Sequence, residues 1–124
     1  MIAIDASVII PWLNKVESPD TRRLDEIAQS GQGVLAPVTI TELLSDPKGP
    51  TNFEALFENF PTLQLTRGYW ERAGALRAAV RKLGRKAALG DALIAQACID
   101  ADVPLLTRDA DFAAFVKVGG LTLA

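Results

Sequence analysis

The first thirteen residues, MIAIDASVIIPWL (1–13), decide the reading of the fold. Ile2, Ala3 and Ile4 form a short apolar run that fits a buried strand, and Asp5 stops it. SVIIPWL (7–13) is too long and too irregular to continue that strand. A turn at Asp5–Ala6, then a short helix bent or begun near Pro11, accommodates both the acid and the proline, which a helix tolerates in its first turn or at a bend. Asp5 is then either a turn residue or a carboxylate set at the carboxyl end of a strand, where functional groups gather in parallel sheets.

The rest of the chain repeats this alternation. In SPDTRRLDEIAQSGQG (18–33), Ser18 is the N-cap, Pro19 the first helical residue, Asp20 faces the helix dipole, and glycines close the far end. VLAP (34–37) reads as a strand and VTITELLSD (38–46) as a helix ended by Pro47, Gly49 and Pro50. A helix over about 52–59 leads to a strand at TLQL (62–65). YWERAGALRAAVRKLG (69–84) is a long helix with Ala73, Leu76, Val80 and Leu83 as its apolar stripe. GDALIAQACIDAD (90–102) is a more apolar helix, followed by a strand at VPLLT (103–107), a short helix at DADFAAF (109–115) and a last strand at GLTLA (120–124). Strands alternating with helices predict one α/β domain over residues 1–124, in three α/β/α layers with a mainly parallel sheet of about four to five strands.

Composition narrows the chemistry. The apolar share of 49% and charged share of 23% are those of an ordinary soluble protein. No apolar run approaches the ~18 residues of a membrane span and no basic leader is visible, so the cytoplasm is the expected location, with no membrane partner. Cys98, the one cysteine, reads as a small core residue. There is no histidine, which excludes Ser-His-Asp and Cys-His nucleophile schemes and imidazole zinc sites. Hydrolytic chemistry in this chain would have to use carboxylates, which recruit hard ions such as Mg2+. The net charge of −2 argues against a globally electrostatic nucleic-acid binder, yet 67–86 holds seven of the 13 basic residues.

Four acids fall at compatible ends of the expected sheet: Asp5 after the first strand, Glu42 in the helix after the second, Asp91 ahead of the strand at 103–107, and Asp109 just after it. Each has an ordinary alternative. Asp91 fits a helix N-cap or first turn, Asp109 and Asp111 fit caps of the following helix, and Glu42 fits an exposed helix face. If the four converge, their repulsion calls for a divalent cation, which would activate water and stabilise charge at phosphorus. Ser7 and Thr107 stand near Asp5 and Asp109 and could orient a carboxylate or bound water, or serve as local turn hydroxyls.

IDASVII with Asp5, TITELL with Glu42, GDALIAQA with Asp91 and LLTRDADF with Asp109 together resemble the four motifs of PIN-domain ribonucleases, closest to the VapC-like toxins of toxin–antitoxin pairs. The match runs in order from the first residues to about Phe112. The resemblance implies a PIN fold, RNA phosphodiester cleavage dependent on one or two Mg2+ or Mn2+ ions, a homodimer, and inhibition by a small cognate antitoxin. It makes Asp5 and Asp91 the core metal ligands, Glu42 a third acid and Asp109 the fourth, with Asp111 competing for that place. The sequence departs from the family where SDPKGP (45–50) cuts short the helix after Glu42.

Arg77, Arg81 and Arg85 recur every four residues and form either an RNA-backbone stripe or a solvated helix face, with Lys82 and Lys86 beside them. Trp12, Trp70 and Phe112 read as core or interface anchors rather than base-stacking platforms. The alternative function is a PIN-fold RNA- or protein-binding module with weak or no nuclease activity.

Overall fold

The computed structural model describes the backbone of residues 1–124 and every side chain except those of Phe53 and Ala55. Strand β1 (Ile2–Ile4) is the middle of three parallel strands, flanked by β2 (Gly33–Val34) and β3 (Leu105–Leu106). Ile2 stands opposite Gly33, Ala3 opposite both Val34 and Leu105, and Ile4 opposite Leu106. Gly33 is required by packing, because a Cβ there would lie 2.5 Å from the Phe60 ring.

Successive strand residues face opposite sides, and the two cores follow that period. Ala3, Val34 and Leu105 join the core built on helices α5 (Tyr69–Lys82), α6 (Leu89–Ala101) and α7 (Ala113–Gly119). Ile4, Leu35 and Leu106 join the one built on α1 (Ala6–Leu13), α2 (Pro19–Ser30) and α4 (Phe53–Asn59). The sheet therefore lies between two helical layers, as the alternation requires.

Three strands are fewer than the expected four to five. TLQL and GLTLA do reach the sheet, but each by one bridge. Leu35 N donates to Pro61 O and accepts Leu63 N at its own carbonyl, giving the Leu35–Thr62 bridge; Leu105 makes the same exchange with Thr122 and Ala124, giving the bridge to Leu123. VLAP yields only Val34 to β2, because Pro37 opens helix α3 (Pro37–Ser45). VPLLT yields only its two leucines.

Helix α1 starts at Ala6, directly at the expected turn, with Asp5 as its extended N-cap, and Pro11 lies inside the helix rather than beginning it. Only the Ser7 carbonyl loses a donor to that proline, and the helix ends two residues later, so little continuity is sacrificed. Helix α2 follows its sequence signature: Thr21 N donates to Ser18 Oγ and Ser18 N to Thr21 Oγ1, and Gly31 closes the helix at φ 69°.

Candidate active site

Asp5, the Ala36–Pro37 junction and Thr107 follow β1, β2 and β3, so the carboxyl ends of all three strands open on one side of the molecule. A cleft of about 460 Å³ lies there, lined by Asp5, Ser7, Glu42, Asp91 and Asp109, with Ile10 and the 45–47 corner completing the wall. Asp5 and Asp91, far apart in the chain, face the same cavity.

Asp5 is 6% exposed. Its Oδ2 accepts Ser7 Oγ at 2.6 Å and Thr107 Oγ1 at 2.8 Å. Each hydroxyl in turn accepts a backbone N–H from the loop after β3: Arg108 N reaches Ser7 Oγ and Asp109 N reaches Thr107 Oγ1, both at 3.0 Å. The two supports thus tie the loop that carries Asp109 to the carboxylate at the end of β1. Asp109 Oδ1 accepts Asp111 N at 2.9 Å and caps the 3-10 turn Ala110–Phe112, so it has a structural duty as well as a place in the cleft. Asp91 is not the N-cap of α6. Ala88 is, and Asp91 sits in the first turn with no side-chain cap bond at that terminus.

The acids interact strongly. Burial first, then the charges of Asp5, Asp91 and Asp109, push Glu42 up to about 7. Burial, then Asp109, Asp5 and Asp111, push Asp91 up to about 6, with Lys86 opposing. Carboxylate oxygens of Asp91, Asp109 and Asp111 lie within 4.8 Å of one another. The two candidates for the fourth acid therefore stand together in one group rather than apart.

A family model for the PIN domain matches residues 2–118. The chain belongs to the PIN domain family. This PIN domain is similar in fold to solved chains of VapBC2 from Rickettsia felis, a structure bound to a promoter DNA fragment (TM-score 0.76, 18% identity, 100% of this chain and 98% of that one). It is similar also to VapBC-1 of nontypeable Haemophilus influenzae (0.71, 19%, 100% and 97%) and to VapBC-5 of Mycobacterium tuberculosis, a member of a toxin–antitoxin family (0.62, 23%, 98% and 94%). No curated protein sequence matches it.

A divalent cation suits the donor set of this PIN domain. The donors are hard carboxylates, and Glu42 Oε1 is a buried oxygen with no hydrogen-bond partner among the described residues. An unpartnered, desolvated carboxylate oxygen beside three other acids is what a cation would satisfy.

The arginine stripe does not form. Helix α5 ends at Lys82, and Gly84 at φ 73° turns the chain, so Arg85 leaves the helix. Arg77 Nε donates to Ala87 O at 2.8 Å, which makes it a strut for the 83–88 loop. Leu83, expected on the apolar stripe, is 54% exposed at the helix end, whereas Ala73, Leu76 and Val80 are buried. Of the aromatic anchors, Phe112 is fully buried and Trp12 joins α1 to α2, its ring stacked edge-on to Phe60 and its N–H on Asp25. Trp70 is not a core residue, being 64% exposed. Burial pushes the Cys98 thiol up to about 12, in keeping with a core role.

Two cations stand at the site: Lys86, which the sequence placed only beside the arginines, and Arg108, which it did not single out. Lys86 Nζ lies 3.2 Å from Asp111 Oδ2. Arg108 pairs with Asp20 at 2.9 Å and donates to Ser18 Oγ, linking the site loop to the start of α2. The signal for Arg108 was its position in LLTRDADF between two site residues; for Lys86 it was proximity to Asp91 after a glycine that ends the helix.

Proposed function

We propose that this PIN domain is a Mg2+- or Mn2+-dependent endoribonuclease and the toxin of a toxin–antitoxin pair, acting in the cytoplasm as a homodimer and restrained by a small cognate antitoxin. The convergence of Asp5, Glu42, Asp91 and Asp109 on one cleft carries this reading. The fold likeness to VapBC chains supports the toxin assignment. Among the described residues no helix is long and apolar enough to cross a membrane.

Asp5, Glu42, Asp91 and Asp109 would hold the ion, with Asp111 beside them. When bound, a divalent ion of this kind acidifies water and stabilises the charge that grows on a phosphoryl group. Ser7 and Thr107 both bind Oδ2 of Asp5, which fixes the carboxylate plane and leaves Oδ1 free of them. Glu42, raised to about 7, is protonated about half the time at neutrality in the metal-free protein, and a cation entering the cleft would displace that proton. Arg81 and Arg85, both exposed, remain the candidates for gripping the RNA backbone; Arg77 is withdrawn from that role.

The test is incubation of total RNA with purified protein, with Mg2+ or with chelator, beside Asp91→Asn. Cleavage is expected only with unmodified protein and metal. Cleavage that persists in chelator or in the variant removes the assigned site, and RNA retained intact by a metal-loaded protein favours the binding-module reading.

A further inference from the structure

We infer that Gly90 is a positioning residue: the side chain it lacks leaves the space in which the Glu42 carboxylate lies over the first turn of α6. The inference rests on the metal reading of the cleft and concerns how accurately Glu42 is presented to a cation.

Gly90 is one residue before Asp91, inside helix α6. Its φ is not positive, so the backbone there imposes no need for glycine. Alanine in its place would favour the helix. What a side chain would press against there is specific. A Cβ built on Gly90 would lie 3.2 Å from Glu42 Oε2 and 3.8 Å from Glu42 Cδ, and it meets nothing else within 4 Å among the described residues. Gly74, inside α5, makes the contrast, since a Cβ there meets nothing within 4 Å.

An ordinary glutamate would swing aside at little cost. Glu42 is constrained on its other side, because Oε1 is buried. A methyl group at position 90 therefore forces the carboxylate to shift by a few tenths of an ångström, with the side toward Oε1 already filled. Ligand distances in a well-formed metal site agree with their standard values to about 0.2 Å, so a shift of a few tenths of an ångström is large on the scale of a metal–ligand bond and small on that of the fold. Helix propensity is given up at position 90 so that carboxylates from α3 and α6 can approach one another.

The experiment is a double-mutant cycle read by Mn2+ binding in titration calorimetry, using the full chain: unmodified protein, Gly90→Ala, Glu42→Gln and the pair, with Gly74→Ala as control. Gly90→Ala is expected to weaken Mn2+ binding by about tenfold, the scale of losses when a ligand's support is disturbed. In the Glu42→Gln background it is expected to add no more than about twofold, because the two changes act through one contact. Gly74→Ala should bind as the unmodified protein does. An undiminished affinity in Gly90→Ala, or an equal loss in both backgrounds, overturns the inference while leaving the metal site standing. Absence of Mn2+ binding by the unmodified protein overturns the metal reading and this inference with it. Should Gly90→Ala fail to fold, adding Glu42→Asp, one methylene shorter, is expected to restore folding; a pair that stays unfolded also overturns it.

Discussion

Thr107 shows how much of the site depends on one hydroxyl. Its Oγ1 donates to Asp5 Oδ2 at 2.8 Å and accepts Asp109 N at 3.0 Å, so one small side chain orients an acid from β1 and fixes the backbone of another after β3. Thr107→Val keeps the shape and removes both bonds. It is expected to lower stability by about 1–2 kcal/mol, since a charged acceptor loses one of two donors and a backbone N–H loses its acceptor. RNA cleavage should fall by about tenfold, through freed motion of Asp5. Urea melts and cleavage rates check this, and a valine variant matching the parent in both would refute the role. Asp5, Glu42 and Asp109 were legible in sequence because each stands directly after a strand or in the helix that follows one, and Asp91 because it opens a nearly all-apolar helix. Lys86 was not, because its pairing with Asp111 is set by a loop whose path is fixed only in three dimensions.

That loop belongs to the scale of elements, where the sequence was least informative. The four-residue spacing of Arg77, Arg81 and Arg85 implies one helical face only if the helix continues to 85, and Gly84 ends it first. Arg77 then turns from a candidate RNA contact into the group that anchors Ala87. Arg77→Met is accordingly expected to lower stability by about 1 kcal/mol, the net worth of a buried-side hydrogen bond, whereas Arg81→Met and Arg85→Met should stay within about 0.5 kcal/mol of the parent. Chemical denaturation of the three variants decides it; equal stability of all three would return Arg77 to the solvated face. Helices were read well because capping residues mark their ends, as Ser18, Pro19 and Gly31 do for α2. Strands were over-read for a physical reason. TLQL has strand composition, but only Thr62 pairs, since the hydrogen bonds on either side of Leu35 exhaust that edge before Pro37 turns the neighbouring chain into helix.

At the scale of the whole molecule the crowded acids make folding and cation binding one equilibrium. Glu42 at about 7 instead of its ordinary 4.5, and Asp91 at about 6 instead of 3.8, hold protons in the folded state that the unfolded chain has already released. A raised carboxylate favours the fold at low pH, and that advantage is lost as pH rises from about 4 through about 7. Both groups are partly exposed to solvent, so roughly 2–3 kcal/mol in total is the scale of the loss after screening. Other shifted groups fall outside this window. Asp100, held below the ordinary carboxylate range by its hydrogen bond to Arg72, acts with opposite sign only near and below pH 3.8, while Tyr69 and Cys98, both pushed up to about 12, act in alkali. The metal-free protein should therefore melt at a lower temperature at pH 8 than at pH 5. Mn2+ should narrow that gap. It binds ionised carboxylates, so it competes with their protons at pH 5 and is unopposed at pH 8. At a hundredfold excess over its dissociation constant it adds about 2.7 kcal/mol, or roughly 10 °C for a chain of this size. Thermal melts with chelator and with Mn2+, at pH 5 and pH 8, read both slopes. A chelated protein whose melting temperature does not fall across this range, or a Mn2+ gain equal at both pH values, would mean that the four acids are already neutralised within the fold and need no cation.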